Sequence, residues 1–550
     1  MTLDRRALIG SGLALGAASA APASAAPSPF QHGVASGEPT AASVLLWTRL
    51  TGVGEAAGRW RLARDPQMAD VVVQGDFTAR AERDFTVKVE PAGLQPGTDY
   101  WYQFEAAGAL SPIGRTRTLP TGRLEQLDLV VACCAMYTMG RFHGYRAIAE
   151  RPRLDAVLFV GDYIYEYGAS NYPGMATLRP ADPPHDTLTL SDYRRRFAQA
   201  RTDADLQAAH ARAPWICTWD DHEIANDDWT GGAQGHAAER QGDWEIRKIA
   251  AVRAYYEWMP IRDPDLAEPY GVQRAAAFGD LATLIVPESR LKAREQQLSI
   301  QRDLEFTTGP DGSKVPDLAG FRRKIAAPER AMLGAQQLDW LAREVEDSVA
   351  AGRPWVLLGS ATIMGDYDYP DMSDFAPAGG PLKGFFEMTR LKLPLLNLDA
   401  WSGYGAERQR VYDIIRRTGA QAVVLSGDSH MAFANGLHDA QGQVALEVAA
   451  TTITGPSLGS VLAMGQAPLG ERLAAANRDI AWCDHLAIGF IALRLTRETV
   501  VAEFVSVIDP RGSDPTTVVA RRVEARAGQP WRFDRKVQRP EQQARLERRS

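Results

Sequence analysis

The sequence contains little cysteine: its 550 residues include only Cys133, Cys134, Cys217 and Cys483. Four cysteines are too few for a scaffold held by disulfides, so the cores must be stabilised by packing. Positive charge is not in excess either, since 61 Lys and Arg face 68 Asp and Glu, for a net charge of −7. This balance argues against specific nucleic-acid binding through a basic surface.

Long apolar runs are also missing. Beyond the N-terminus no stretch approaches the roughly 18 to 20 apolar residues of a transmembrane helix, so we expect no transmembrane segment. The composition, 45% hydrophobic and 23% charged, is typical of a globular protein with large cores and excludes a wholly disordered chain.

The first residues have the pattern of an export signal. Arg5 and Arg6 precede a small and apolar stretch that ends near Ala21, and residues 23–25 read Ala-Ser-Ala, a cleavage site of the A-x-A type. The paired arginines favour the twin-arginine export machinery, with the general secretory route as the alternative. We predict a signal peptide over residues 1–25 and a periplasmic or secreted mature protein.

Residues 28–121 carry short alternating runs between Gly and Pro turns, without helical patterns, which is typical of an all-β sandwich. A turn followed by the alternating aromatics of residues 100–104 looks like the tyrosine-corner strand of immunoglobulin-like and fibronectin-III-like sandwiches, and about 95 residues is a suitable size. We therefore predict an N-terminal Ig/FnIII-like β-sandwich.

The pattern then changes to strands alternating with helices, which predicts a layered α/β domain over residues 126–510. Two helices are clear from their apolar spacing, one over residues 338–349 and one that ends at Gly419. Residues 366–399 are rich in Gly, Pro and aromatics, and we interpret them as a long surface loop and a candidate lid. Residues 511–550 form a basic C-terminal tail, interpreted as a solvated end rather than a binding arm.

Residues that can do chemistry follow five of the predicted buried strands. Ligands of open α/β sheets bind outside the carboxyl ends of the strands, so we expect these side chains to meet at one edge. The five segments are Cys133-Cys134, Gly161-Asp162-Tyr163-Ile164-Tyr165-Glu166, Asp220-Asp221-His222-Glu223, Glu288-Ser289-Arg290 and Gly427-Asp428-Ser429-His430.

Carboxylates gathered at one edge repel one another, and the usual remedy is protonation or a bound cation, so a metal centre is the simplest explanation. Asp and Asn oxygens suit hard cations such as Ca²⁺, Mg²⁺ or Mn²⁺, whereas a thiolate with a phenolate and one imidazole suits iron. A zinc centre would show more His or Cys. The sequence therefore favours a mixed site over a zinc pair.

These motifs resemble those of the PhoD-type alkaline phosphatases, within the calcineurin-like metallophosphoesterases. The resemblance covers nearly the whole mature chain and implies a metallophosphoesterase domain behind the sandwich. It is strongest in the blocks at 161–166, 220–223 and 427–430, and extends to residues 30–39, 46–50, 190–194 and 399–401.

The resemblance implies a site for Fe³⁺ and Ca²⁺, with other divalent cations as alternatives. Carried over position by position, the iron ligands would be Cys134, Asp162, Tyr165 and His430. Asp162 would bridge to calcium, whose remaining ligands would be Asp221, Asn226 and Asp428. His222 matches the family's phosphate-facing histidine, and Arg290 is a candidate clamp for a phosphate oxygen.

Three positions depart from the family's pattern: Cys133-Cys134-Ala135 stands where Ser-Cys-Gln is usual, Glu288-Ser289-Arg290 replaces Asp-x-Arg, and Ser402 replaces an acid. Cys133 therefore stays an alternative ligand to Cys134. A disulfide between these adjacent cysteines would need strained geometry, which favours one of them as a metal ligand.

The resemblance implies an alkaline phosphatase that attacks phosphomonoesters or phosphodiesters with metal-bound hydroxide. His222 and Arg290 would stabilise the phosphoryl oxygens, and His222 would protonate the leaving alkoxide. A phosphodiesterase or a phospholipase D-like enzyme acting on phospholipids is the alternative. A non-catalytic extracytoplasmic binding protein is a more remote one, because it predicts gaps among the metal positions, which here are filled.

Overall fold

The computed structural model describes residues 27–169, 175–465 and 467–533, so the predicted signal peptide lies outside the described residues. The strands are β1 (Val34–Gly37), β2 (Leu45–Arg49), β3 (Ala56–Ala63), β4 (Val71–Ala79), β5 (Thr86–Val89), β6 (Asp99–Ala106), β7 (Ala109–Leu110), β8 (Gly114–Arg117), β9 (Gln126–Ala132), β10 (Ala156–Phe159), β11 (Trp215–Cys217), β12 (Asp228–Trp229), β13 (Gly232–Ala233), β14 (Arg274–Phe278), β15 (Ala282–Val286), β16 (Phe306–Thr308), β17 (Lys314–Pro316), β18 (Trp355–Gly359), β19 (Ala422–Ser426), β20 (Ala432–Asp439), β21 (Gly442–Ala449), β22 (Ile480–Asp484), β23 (Gly489–Thr496), β24 (Thr499–Val507), β25 (Thr517–Arg526) and β26 (Arg532–Phe533).

The α-helices are α1 (His143–Ala149), α2 (Leu190–Arg201), α3 (Ala204–Arg212), α4 (Ala238–Gln241), α5 (Trp244–Trp258), α6 (Ile300–Asp303), α7 (Leu318–Ile325), α8 (Gly334–Ala350), α9 (Pro381–Met388), α10 (Gly405–Thr418), α11 (Leu458–Val461) and α12 (Leu469–Ala476). Both helices predicted from apolar spacing are present, as α8 and α10. Gly419 ends α10 in the left-handed conformation, with φ of 68°, which a glycine adopts without steric cost. No described helix is long and apolar enough to cross a membrane.

Two large sheets form the centre of the α/β region. A ten-stranded sheet has the order β26-β25-β24-β23-β9-β10-β11-β1-β2-β5, and a seven-stranded sheet has the order β14-β15-β18-β19-β21-β20-β22. Within them β9, β10 and β11 are parallel neighbours, as are β15, β18 and β19. Leu129 and Leu158 of the first sheet share a buried cluster with Leu284 and Leu357 of the second, so the two sheets pack face to face.

Helices cover the outer faces of both sheets. Val130 belongs to a cluster with Tyr193 of α2, whereas Val356 belongs to one with Val345 of α8. Because successive strand residues point to opposite faces, these strands are apolar on both sides and read as continuous hydrophobic runs. The result is a layered helix–sheet–sheet–helix arrangement.

The N-terminal β-rich region is joined to this core through a shared sheet. β1, β2 and β5 extend the ten-stranded sheet, where Gly37 pairs in parallel with Trp215. The other strands of the region form a five-stranded sheet, and the hydroxyl of Tyr100 accepts the Gln95 N–H at 2.9 Å, as the tyrosine-corner prediction requires. A β-rich region followed by an α/β region is therefore confirmed, and the Ig/FnIII-like detail stays a prediction.

Two segments differ from their sequence interpretation. Residues 366–399, interpreted as a surface loop, contain α9 and bury Tyr369, Met372 and Phe386 in an apolar cluster. In the predicted basic tail, β25 pairs along β24 and buries Val523. In both segments apolar residues stand between polar ones. Burial of these apolar side chains stabilises a packed structure, although the average composition of each segment is typical of a loop or a tail.

Candidate metal centre

The carboxyl ends of β9, β10, β11 and β19 bring most of the predicted ligands together. The described part of the chain contains three groups of residues in which the donor atoms of each group lie within 4.8 Å of one another. The groups are Cys134, Asp162 and His430; Asp162, Asp221 and His222; and Asp162, Asp220 and Asp428. Asp162 belongs to all three groups. The strand ends therefore meet as predicted, although they come from two facing sheets rather than one.

The backbone at this edge is in an unfavourable conformation at four of these residues. Cys134, Asp162, Asp428 and His430 have φ of 57°, 60°, 67° and 51°. Non-glycine residues rarely adopt left-handed φ, and each costs on the order of 1–3 kcal/mol, a cost that concentrates at functional sites. The fold therefore holds these side chains against a local backbone preference.

Gly161 allows two strand ends to approach each other. Its φ is +114°, and a Cβ built on it would lie 2.4 Å from the Cβ of Asp220. Only glycine fits this turn, which brings Asp162 beside the loop after β11.

Cys134, Tyr165 and His430 surround Asp162 on one side. The Tyr165 hydroxyl lies 3.1 Å from Asp162 Oδ2 and 3.0 Å from His430 Nε2. His430 Nδ1 lies 2.7 Å from the Pro456 carbonyl oxygen, so Nδ1 carries the proton and the Nε2 lone pair faces the group. Burial lowers the pKa of His430 to about 4, which keeps the ring neutral, as a metal ligand must be.

The geometry favours Cys134 over Cys133 as the thiol of the site. Cys133 Sγ points at the carbonyl oxygens of Ala450 and Thr451, at 3.6 and 3.4 Å. Its side chain therefore packs between the sheets, while Cys134 Sγ lies in the donor group.

Carboxylates dominate the other side of Asp162. Asp221 accepts the backbone N–H of His222 at 3.0 Å and that of Asp227 at 2.6 Å. Asp220 Oδ2 is buried and has no hydrogen-bond partner among the described residues. A buried carboxylate oxygen without a partner is costly, and a cation beside it would remove that cost.

The pKa values show how poorly this cluster tolerates its own charge. Burial, with the charges of Asp221 and Asp220, raises the pKa of Asp162 well above its usual range. Burial and the same two neighbours raise the pKa of Asp428, and burial raises that of Asp220 to about 6. Burial would also raise the pKa of Asp221, but His222 and Arg290 hold it at about 2. One ionised carboxylate beside several that resist ionisation is the environment a multivalent cation stabilises.

His222 is held by a carboxylate and two aromatic rings. Its Nδ1 lies 2.7 Å from Glu166 Oε2. The ring stacks on Tyr165 with centroids 4.2 Å apart and meets the edge of Tyr167 at 5.3 Å. Burial disfavours the charged imidazole, but Asp221 and Glu166 outweigh it and raise the pKa of His222.

Asn226 lies on the loop that follows His222. Its backbone N–H donates to Glu166 Oε1 at 2.7 Å, and its Oδ1 accepts from the Tyr167 hydroxyl at 3.0 Å. Its neighbour Asp227 donates its backbone N–H to Asp221, so Asn226 lies on the loop that borders the carboxylate group.

Arg290 is fully buried among carboxylates. Its Nε donates to Asp220 at 2.5 Å, and its Nη1 lies 2.8 Å from Asp399 Oδ2. Its Nη2 has no hydrogen-bond partner among the described residues and lies 3.8 Å from Asp221 Oδ1. The guanidinium thus positions Asp220 and Asp399 and leaves the NH₂ group of Nη2 at the carboxylate side of the site.

Sequence reasoning assigned no role in the site to Asp220, Glu166 or Asp399. Asp220 and Glu166 belong to the polar segments that follow the buried strands β11 and β10, and this position was the sequence signal that could have identified them. Asp399 belongs to residues 399–401, to which the family resemblance extends. Its pairing with Arg290 spans 109 residues of sequence, and no local pattern predicts it.

Comparisons with known proteins match this chain to one family over most of its length. The model of the PhoD-like phosphatase family matches residues 129–504, and the model of the PhoD-like phosphatase N-terminal domain matches residues 16–120. Alkaline phosphatase D of Bacillus subtilis (strain 168) is 33% identical over 425 residues, which cover 74% of this chain and 66% of that protein. The chain thus spans slightly less than two thirds of this relative's length. A solved structure of PhoD superposes with a TM-score of 0.76 at 26% identity, covering 95% of this chain and 97% of that chain.

Proposed function

The chain belongs to the PhoD-like phosphatase family, and from this premise we propose that it is an exported, metal-dependent phosphoric ester hydrolase of the alkaline phosphatase D type. Phosphomonoesters and phosphodiesters are its proposed substrates. The observation that carries the proposal is the position of Asp162, which belongs to three donor groups: one with a thiol and an imidazole, one with a carboxylate and an imidazole, and one with two further carboxylates.

The donor chemistry fits Fe³⁺ on one side and Ca²⁺ on the other. Cys134, Tyr165, His430 and Asp162 offer the thiolate, phenolate, imidazole and carboxylate that suit iron. Asp162, Asp221, Asp428 and Asn226 offer the oxygens that suit calcium, and Oδ2 of Asp220, which has no hydrogen-bond partner among the described residues, adds another. Bound there, the two cations would supply a hydroxide nucleophile near neutral pH and neutralise phosphoryl charge.

We assign His222 and Arg290 to the substrate phosphate. The N–H group at Nη2 of Arg290 lacks a partner among the described residues, so it can donate to a phosphoryl oxygen without giving up an existing hydrogen bond. His222 would donate a proton to the leaving alkoxide as the P–O bond breaks, because its Nδ1 is bonded to Glu166 and its Nε2 is the remaining donor.

The test is a parallel assay of a phosphomonoester, a phosphodiester and a phospholipid. We expect turnover of the monoester or the diester by the native protein, loss of turnover after chelation, and loss in Asp162→Asn. Turnover of the phospholipid alone would favour a phospholipase D-like enzyme. Absence of turnover on all three, with the metals bound, would favour the non-catalytic binding protein.

The proposed export route rests on residues 1–25, which precede the described part of the chain. Replacing Arg5 and Arg6 with lysine should block export through the twin-arginine machinery. Cell fractionation followed by immunoblotting measures this. Undiminished export of the double variant would contradict the route and leave the general secretory pathway.

A further inference from the structure

We propose that Glu166 is a positioning residue that fixes the proton-donating orientation of His222 and ties it to the Asn226 loop, an inference that rests on the proposed phosphoester hydrolysis. Glu166 directly follows Tyr165, and its side chain is only 2% exposed. Both of its carboxylate oxygens are in use, with Oε2 at 2.7 Å from His222 Nδ1 and Oε1 at 2.7 Å from the Asn226 backbone nitrogen.

The contact with Glu166 decides which imidazole nitrogen faces the site. An ionised carboxylate only accepts hydrogen bonds, so Nδ1 of His222 must carry a proton and Nε2 becomes the atom available to substrate. Tyr165 stacks on one face of the ring at 4.2 Å and Tyr167 meets it edge-on at 5.3 Å. The two aromatic rings thus restrict tilting of the imidazole, and the hydrogen bond to Glu166 restricts its rotation about the bond to Cβ.

The second oxygen of Glu166 couples this proton donor to the calcium side. The Asn226 N–H that it accepts belongs to the loop that also carries Asp227, whose N–H donates to Asp221 at 2.6 Å. One carboxylate therefore sets the distance between His222 and a loop that contacts a proposed calcium ligand. A shift of about 1 Å in such a group is enough to cost roughly 10²-fold in rate.

In the proposed step, the phosphate ester is cleaved into an alcohol and inorganic phosphate. A water molecule releases one proton to solvent and its oxygen forms the new bond to phosphorus, while the bond from phosphorus to the alcohol oxygen breaks with its electron pair leaving on that oxygen. His222 acts in its doubly protonated form: its Nε2 proton passes to this oxygen, which leaves as the neutral alcohol, the ring keeps its Nδ1 proton, and solvent returns a proton to Nε2. Glu166 keeps the Nδ1 hydrogen bond throughout and exchanges no proton.

The experiment compares two monoesters that differ in their need for an acid: an alkyl phosphate, which leaves as a strongly basic alkoxide, and p-nitrophenyl phosphate, which leaves as a weakly basic phenolate. In Glu166→Gln we expect kcat for the alkyl ester to fall at least about tenfold more than kcat for the aryl ester, with a smaller change in KM. In a His222→Ala background the same substitution should add no difference between the two esters.

Asp186→Asn is the matched control. Asp186 is an exposed carboxylate, and it accepts the backbone N–H of Gly168, two residues after Glu166, at 3.0 Å. Its removal should leave the ratio of the two kcat values unchanged. Glu166→Asp keeps the charge on a shorter side chain, so it should fall between the native protein and Glu166→Gln, and it replaces Glu166→Gln if that variant does not fold.

A second readout does not depend on turnover. In proton NMR of the full chain after chelation, the Nδ1 proton of His222 should give a strongly downfield resonance that is lost in His222→Ala and in Glu166→Gln. Persistence of this resonance in Glu166→Gln, or an equal fall in kcat for both esters, would overturn the role of Glu166. Failure of the native protein to hydrolyse any phosphate ester would instead overturn the proposed function.

Discussion

Replacing Glu223 with glutamine should loosen the two loops that place the metal ligands. The buried carboxylate of Glu223 accepts the backbone N–H groups of Asp162 and Asp220 at 2.9 Å each, and that of Tyr163 at 2.5 Å. These amides belong to the turns after β10 and β11. Glu223 therefore ties together the two strand ends that carry most of the site.

The expected loss follows from these three bonds. A hydrogen bond to a charged acceptor contributes about 1.5–3 kcal/mol and a neutral one about 0.5–1.5 kcal/mol. Glutamine keeps one oxygen, loses the charge and turns an NH₂ group toward at least one buried N–H. The local opening free energy should therefore fall by about 3–6 kcal/mol, which corresponds to roughly 10²- to 10⁴-fold faster amide exchange.

Hydrogen exchange of the chelated full chain at pH 8 measures this loss, because burial raises the pKa of Glu223 to about 7 and the carboxylate is then ionised. The matched control is Glu407→Gln, since Glu407 also accepts three backbone N–H groups, those of Met332, Leu333 and Gly334. The control should lose protection at its own amides and keep metal content and turnover. Unchanged protection of the Asp162 and Tyr163 amides in Glu223→Gln would refute the reasoning.

Three further predictions follow from the site. Asp162→Asn should lose bound metal and lower kcat by orders of magnitude, and a metal-free variant with native kcat would contradict the shared role of Asp162. Cys134→Ser should lose iron in elemental analysis and Cys133→Ser should keep it, because only the Cys134 thiol lies in the donor group; the reverse pattern would move the ligand by one residue. Burial raises the pKa of Asp220 to about 6 and that of Asp227 to about 7. In the unfolded chain both carboxyl groups have their ordinary pKa of about 4 and lose their protons near that pH, whereas the chelated folded chain still holds them. Its stability from these groups should fall as pH rises from about 4 to 7, and the rise in thermal midpoint on adding Ca²⁺ should be larger at pH 8 than at pH 5; an equal or smaller rise at pH 8 would refute this.

The strand ends were the most predictable part of the protein. A buried parallel strand is apolar on both faces, so its end is marked in the sequence by the first polar residues, as at Asp162 and Asp428. Topology then brings those ends to one edge. The division of the strands between two facing sheets was not predictable, because no local pattern says which strand pairs with which.

The residues that hold the ligands in place were the least predictable. Apart from the Asp220 N–H, the hydrogen-bond partners of the Glu166 and Glu223 carboxylates are backbone and ring atoms of residues 56 to 61 positions away, and a single sequence does not show such partners. Arg290 was placed in the site, yet its ion pairs with Asp220 and Asp399 became visible only in three dimensions.

The segment 366–399 shows how composition can mislead. Its Gly and Pro content is typical of a surface loop, but Tyr369 and Phe386 are buried in an apolar cluster with Phe433 of β20 and Leu473 of α12. Aromatic residues repeated within a loop-like segment were the signal for packing.

Elemental analysis of the protein purified through its native export route, combined with the monoester assay, tests the central claim most directly. We predict iron and calcium bound to the native chain, a lower content of both in Asp162→Asn, and a fall in turnover in proportion to the lost metal. Full turnover by native protein that holds neither iron, calcium nor another multivalent cation would contradict it.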